Sequence, residues 1–193
     1  LYNGLRLGRT SAQVVETAPL RRIALSGVDA PAGTEEIYSE PWRVIQEPGY
    51  DLVQVFETPQ PLLPSRLEAG ARERYAGRYR IPSQVQVPEG ADRDPVWWFY
   101  WSVAVDALRW EDISVPAGRF ETLRILRRIS FVHSDPFRMR SRREETLWYA
   151  PAVNRWVQRE WTGYYQRAGS WPFAAMREDW TVSRLLEYSP ARD

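Results

Sequence analysis

The stretch that decides the fold is WEDISVPAGRFETLRILRRISF, residues Trp110 to Phe131. Before Pro116-Ala117-Gly118, apolar and polar residues alternate, so Ile113 and Val115 share one side of a predicted strand. Proline has no backbone N–H to give to a strand ladder, and glycine supplies the conformational freedom that a tight reversal needs. The stretch therefore predicts an antiparallel hairpin that turns at Pro116-Ala117-Gly118.

The second strand of this hairpin separates apolar from polar side chains. Leu126 and Arg127 interrupt the alternation, which indicates either a β-bulge or a strand that is covered on both faces. The predicted apolar face carries Leu123, Ile125, Ile129 and Phe131, and the opposite face carries Arg124, Arg128 and Ser130.

A family resemblance starts in the same hairpin. The phrase VPAGRFETLRI resembles the "vtvPAGtFdTlrv" hairpin of a family of bacterial envelope proteins and lipoproteins of unknown function. LLPSRLEAG at Leu62–Gly70 is similar to the entry strand of that family, and WYAPAVNRWVQREW at Trp148–Trp161 is similar to its exit hairpin. The resemblance ends near Tyr188 and has no counterpart in residues 1–61. Val153-Asn154 stands where the family often has glycine, and asparagine tolerates the left-handed conformation that such a turn requires.

The resemblance implies an exported or lipid-anchored protein and transfers no catalytic residue. With the alternating strands, it predicts a mainly β fold: a curved antiparallel sheet, open and half-barrel-like, with few short helices. Pro59, Pro61 and Pro64 predict a stiff connector between an N-terminal segment, residues 1–61, and a main antiparallel β domain, residues 62–193. The N-terminal segment is expected to pack on the sheet or to extend it.

Local patterns give a coarser prediction for the N-terminal segment. Ser11–Ile23 has the pattern of an amphipathic helix, although Pro19 argues against its continuity. Arg21–Val28 is predicted as a strand, and Asp29–Glu36 has the composition of a loop. Tyr38–Gln46 is predicted as one strand that Glu47-Pro48-Gly49 joins to a second.

Composition excludes several kinds of active site. The 193 residues include no cysteine and one histidine, so disulfides, thiolate catalysis and cysteine-ligated zinc are excluded, and a transition-metal site is not expected. A Ser-His-Asp triad would have to use His133, which is predicted to lie in a turn or at the surface. Adjacent acids such as Glu144 and Glu145 point to opposite faces of a strand and do not form a catalytic pair by themselves. We therefore predict no enzyme and no cofactor.

Two sets of residues are candidates for ligand binding. Arg138, Arg140 and Arg142 alternate along one predicted strand and, with Arg124 and Arg128, predict a basic patch suited to phosphate or carboxylate; the alternative is a solvent-facing surface balanced by glutamates. The tryptophans are interpreted either as the lining of a hydrophobic groove or as core, and they comprise Trp97, Trp98, Trp101, Trp148, Trp156 and Trp161. The residues predicted to bind a ligand are Trp97, Trp101, Trp148, Arg138, Arg140 and Arg142.

The function that these features favour is binding without catalysis. We expect an envelope protein, periplasmic or associated with the outer membrane, that holds a lipid or other apolar small molecule, or a partner envelope protein. Contact with the membrane is expected only through a lipid anchor upstream of Leu1, and no nucleic acid is expected because most aromatic residues are predicted opposite the arginines. The alternatives are a carbohydrate-binding module of the cell surface and an enzyme that uses only arginines and carboxylates.

Overall fold

The structure is a computed structural model that describes residues 8–27, 30–39, 42–49, 52–82, 98–169, 175–178 and 180–189. Across these ranges the chain forms twelve β-strands and no α-helix. The strands are β1 Thr10–Glu16, β2 Arg21–Gly27, β3 Ala30–Ser39, β4 Arg43–Gly49, β5 Leu52–Pro61, β6 Arg72–Arg80, β7 Phe99–Val115, β8 Gly118–Phe131, β9 Arg138–Ala150, β10 Arg155–Arg167, β11 Ala175–Arg177 and β12 Thr181–Arg184.

The strands belong to one sheet whose spatial order follows the chain from β1 to β11. The last strand, β12, pairs with β10 beside β11. The order is linear and does not close on itself, and the described pairings are antiparallel. The predicted fold class, a mainly β protein built on an open antiparallel sheet, is confirmed.

Three predictions for the N-terminal segment are wrong. The amphipathic helix over Ser11–Ile23 is replaced by strand β1 and the start of β2, which pair with each other. The described part of the predicted loop, residues 30–36, lies in β3. The single strand over Tyr38–Gln46 is two strands, because the chain reverses near Trp42, whose φ is 50°. Pairing between distant segments outweighs local composition at all three places.

The proline connector is also wrong, because Pro59 and Pro61 lie within β5. The chain divides into two compact units: Leu1–Gln60 with Tyr79–Trp98, and Pro61–Arg78 with Phe99–Asp193. The division into domains 1–61 and 62–193 stays a prediction.

The first unit has a small aromatic core. The Tyr38 and Trp42 rings meet edge to face with centroids 5.0 Å apart, and the Arg21 guanidinium lies 4.4 Å from the centroid of Trp42. Phe56 of β5 contacts Tyr79 of β6 at 5.7 Å between centroids. These buried rings account for the strand preference of the segment, since aromatic residues pack well on a pleated surface.

The predicted hairpin is the first two of the four neighbouring strands β7–β10, a part of the sheet in the second unit that we call the β7–β10 sheet. Val115 pairs with Gly118 across the two-residue turn Pro116-Ala117, and Gly118 has a φ of 136°. The exit turn between β9 and β10 contains Asn154 with a φ of 51°, the left-handed conformation expected there. Both turns form where the sequence predicts them.

Strand β8 gives the β7–β10 sheet two well-defined faces. We call the face that carries Ile125 and Leu147 the inner face and the opposite one the outer face. Of the two alternatives for Leu126-Arg127, the bulge is wrong: β8 is regular and the bulge lies at Leu108 in β7. The Arg127 side chain is fully buried on the inner face. The other buried inner-face residues of β7–β9 include Trp101, Val103, Val105, Leu123, Ile125, Ile129 and Leu147.

Two short strands in succession cover the free edge of β10. β11 pairs with residues 164–166 and β12 with residues 158–161 of β10, and the interruption between them contains Glu178. The backbone N–H of Glu178 donates to the carbonyl of Gly163 at 2.8 Å, and its carboxylate accepts a bond from Arg138 Nη1 at 2.8 Å. A Cβ atom at Gly163 would overlap this carboxylate. Gly163 is therefore the residue that lets the C-terminal segment close onto β10.

We predict that Gly163→Ala lowers the free energy of unfolding by about 1–3 kcal/mol, the usual cost of overpacking. Denaturant unfolding would measure the change. The control is the same substitution in a Glu178→Ala background, where the overlapping carboxylate is gone and the penalty should shrink. Equal penalties in the two backgrounds would show that Glu178 is not the cause.

Candidate functional site

The most distinctive polar feature of the described chain is a row of arginines and tryptophans on the inner face of β9 and β10. We call it the Arg–Trp ladder and define it by Arg143 and Glu145 of β9 with Trp156, Arg159 and Trp161 of β10. The register places Trp156 opposite Tyr149, Arg159 opposite Leu147 and Trp161 opposite Glu145. Trp156, Arg159, Trp161 and Arg143 are each partly exposed, whereas Glu145 is fully buried.

Glu145 is the anchor of the ladder. Arg127 Nη1 of β8 donates to its Oε2 atom, and Arg159 Nε of β10 donates to its Oε1 atom. Removing a carboxylate from water by itself raises the pKa of Glu145, but the charges of Arg159, Arg127 and Arg143 outweigh this and lower the pKa to about 2. Glu145 is therefore ionised at neutral pH and ties three strands together.

Arginine side chains also stack on the two tryptophans of the ladder. The guanidinium carbon of Arg155 lies 4.0 Å from the Trp156 ring centroid, and that of Arg159 lies 5.4 Å from the same ring. Arg143 lies 4.5 Å from the Trp161 centroid. Cation–π contacts of this length hold both indole rings in fixed orientations.

The predicted aromatic site is not one groove. Trp101 pairs with Phe131 on the inner face and is 3% exposed, whereas Trp148 pairs with Arg124 on the outer face and is 8% exposed. Trp148 packs there with Val115, Ala150 and Val157 and donates its indole N–H to Glu111 Oε1 at 2.9 Å. Trp97 lies outside the described residues. Among the tryptophans listed from the sequence, Trp156 and Trp161 share a face and keep partial exposure.

The prediction that Arg138, Arg140 and Arg142 share one face is wrong. Arg140 has a φ of 50°, and an irregularity in the β9–β10 register falls beside it. Arg142 pairs with Tyr164 on the outer face, whereas the Arg138 guanidinium lies 4.8 Å from the ring centroid of Tyr165, which points to the inner face. A bulge shifts the alternation by one residue, so the arginines before and after it project from opposite faces.

The lone histidine lies in the turn that follows β8. His133 Nδ1 accepts a bond from the backbone N–H of Asp135 at 2.8 Å, so it is committed to the turn. Burial lowers the pKa of His133, and the positive charge of Arg138 lowers it further. In the ranges that the structure describes, no group of three or more His, Cys, Asp or Glu side chains is placed to hold a metal ion.

The ladder explains what sequence reasoning missed. In the sequence, Arg127 is part of an interruption of the alternating pattern, and nothing in its own strand marks it as buried. The signal that identifies it is a matching acid on the next strand: Arg127 pairs in register with Glu145, which pairs with Trp161. The expectation that aromatic residues lie opposite the arginines is also wrong for β10, where Trp156, Arg159 and Trp161 share a face.

No protein-family model matches the chain, and no curated protein or solved structure matches it significantly. The resemblance to the envelope family stays a prediction. Helices with the length and apolar character to span a membrane are not found in the described part of the chain.

We predict that Glu145→Gln lowers the free energy of unfolding at pH 7 by about 3–5 kcal/mol, because it leaves buried arginine charge without its carboxylate. The pKa of Glu145 is lower in the folded chain, about 2 against an ordinary 4.5, so its contribution is complete above pH 4.5 and is lost as the pH falls toward 2. The difference between wild type and variant should therefore narrow over that range. Unfolding curves in urea from pH 7 to pH 2.5 would measure it.

The matched control is Glu144→Gln, which changes the neighbouring exposed carboxylate on the outer face. Its effect on the free energy of unfolding should be below about 0.5 kcal/mol at pH 7. A Glu145→Gln variant as stable as this control at neutral pH would contradict the anchoring role of Glu145.

Proposed function

We propose that the protein is a non-enzymatic binding protein and that the Arg–Trp ladder holds an apolar small molecule, such as a lipid, or the apolar side chain of a partner. The observation that carries the proposal is the pair of partly exposed indoles, Trp156 and Trp161, on one face of β10 with Arg159 between them. Indole rings supply large apolar contact area, and binding sites are typically lined by aromatic residues with a few placed polar groups.

The ladder is organised before any ligand arrives. Arg155 and Arg159 stack on Trp156, Arg143 stacks on Trp161, and the buried Glu145 carboxylate fixes Arg159. Side chains that are already fixed lose little conformational entropy on binding, so more of the contact energy appears as affinity. This preorganisation supports a binding surface rather than a set of mobile side chains.

A binding role without catalysis is supported by the chemistry of the same residues. A general acid needs a pKa near the operating pH, and the pKa of Glu145 is about 2. His133, the one histidine of the sequence, uses Nδ1 to hold its own turn. The net charge of +1 is small for a protein that would bind a nucleic-acid backbone.

The proposed location of the protein rests on its sequence. The resemblance at Val115–Ile125, Leu62–Gly70 and Trp148–Trp161 supports an exported protein of the bacterial envelope. An apolar ligand fits that compartment, because lipids and their fragments are the abundant apolar molecules of an envelope.

A carbohydrate-binding module is less well supported. Sugar binding would favour two or three exposed tryptophans in a row. The most exposed tryptophan of the described chain, Trp180, bonds to Glu160 at the edge of β10, whereas Trp110 pairs with Leu123 on the inner face. These two rings do not form one row.

The test uses 8-anilinonaphthalene-1-sulfonate, an apolar aromatic probe with a single anionic group. We expect saturable binding to the folded protein, detected as energy transfer from tryptophan to the probe. Trp161→Leu should weaken binding about tenfold, since stacking on an aromatic side chain contributes roughly 1–3 kcal/mol.

The matched control is Trp180→Leu, which removes an indole that is 62% exposed and lies outside the ladder. It should leave the dissociation constant unchanged. Circular dichroism of each variant would exclude binding to a partly unfolded state. Absence of saturable binding, or an equal loss in both variants, would refute the ladder as the site.

A further inference from the structure

We propose a second site, on the outer face of the β7–β10 sheet, that binds a phosphate group. It consists of Ser130 on β8, Arg142 on β9, Tyr164 on β10 and Arg177 on β11, which we call the Arg–Tyr row. Ser130 pairs with Arg142, Arg142 with Tyr164, and Tyr164 with Arg177. Directly paired residues point to the same face of a sheet, so the four side chains form one row across four strands.

Side-chain contacts agree with this register. The Arg177 Nε atom lies 3.4 Å from Thr162 Oγ1, and Thr162 shares the outer face with Tyr164. All four residues of the row are exposed. Neighbouring strands lie about 4.8 Å apart, so two strand spacings separate Arg142 from Arg177, and Tyr164 lies on the strand between them.

Part of the positive charge of the row is not paired with an acid among the described residues. Arg128, one residue pair away on the same face, is bonded to Asp106. Arg142, in contrast, has no hydrogen-bond or ion-pair partner among the residues that the structure describes. Glu144 is the nearest acid on the same face of β9 and offsets one of the two guanidinium charges of the row. One positive charge therefore remains for a ligand.

The surface beside the row is indented. A depression of about 160 Å³ is lined by Arg128, Ile129, Ser130, Arg142, Arg143, Glu144 and Tyr164. Ser130, Arg142 and Tyr164 all line this depression, so three side chains that carry hydrogen-bond donors border one opening. Five of these residues point to the outer face, whereas Ile129 and Arg143 belong to the inner face by their register.

The donors match phosphate better than carboxylate. A phosphate monoester presents three acceptor oxygens and carries a charge of about −1.5 to −2 at neutral pH. It can therefore accept bonds from a guanidinium and from hydroxyls at once, whereas a carboxylate has two oxygens. Arginine binds phosphate with two parallel N–H donors. At an exposed site, the affinity must come from this hydrogen-bond geometry.

Phosphate chemistry has two sources, free phosphate and the phosphate of a lipid headgroup. The experiment therefore has two arms at low ionic strength, where exposed charges are least screened. Inorganic phosphate is titrated by isothermal calorimetry, and vesicles of phosphatidylglycerol are tested by co-sedimentation. Saturable binding in either arm supports the site and identifies the source, and binding in neither arm overturns the proposal.

Arg142→Gln and Arg177→Gln should each weaken binding about tenfold, because each removes a charged hydrogen-bond donor. The matched control is Arg119→Gln, since the Arg119 side chain is 73% exposed on the same sheet but lies at the far end of β8, bonded to Asp112 at 2.7 Å. An equal loss of phosphate affinity in Arg119→Gln would show that the effect comes from net charge alone and would overturn the proposed site. Trp161→Leu should leave phosphate binding unchanged, so failure of the ladder and failure of the row are separate results.

Discussion

The interaction on which the described β7–β10 sheet depends is the bond of Glu145 to Arg127 and Arg159. A buried carboxylate with one partner missing is costly, so this contact forms only when β8, β9 and β10 are in their correct register. A slip of one residue would send Glu145 to the outer face and leave Arg127 buried alone. Hydrophobic burial favours the sheet in general, but it is non-directional, whereas this ionic contact favours one alignment of three strands.

The same register separates the surfaces of the sheet. Because β8 is regular, Arg127 and Arg128 point in opposite directions: the first joins the buried network and the second meets Asp106 outside. In the same way, Glu145 of β9 points to the inner face and Glu144 points to the outer face. Bulges then modify it locally, and the irregularity beside Arg140 places Arg138 on the inner face with Tyr165 and Glu178. One alternating pattern with a few interruptions thus positions both the ladder and the row.

Sequence alone predicts those parts of this fold that depend on local chemistry. The Pro116-Ala117 turn, the left-handed Asn154 and the apolar face of β8 follow from residue preferences and a two-residue period. The bulge at Arg140 and the pairing of Arg127 with Glu145 do not, because both depend on which residue of another strand lies opposite. The predicted arginine patch failed at Arg138 for this reason. The ladder was missed because Arg127, which bonds to its anchor Glu145, appears in the sequence as an interruption of an apolar row.

The two faces use arginine in different ways. On the inner face, Arg127 and Arg159 are bound to a carboxylate, and Arg143 lies on an indole ring, so their role is to orient neighbours. On the outer face, Arg142 is exposed, and bonds that an incoming anion makes there replace only bonds to water. If the two proposals hold, an apolar ligand of the inner face meets rings that arginines already hold in place, whereas an anion at the outer face orders the arginine that binds it. The arginines of the inner face therefore organise a surface, and Arg142 on the outer face is the one proposed to bind a charge.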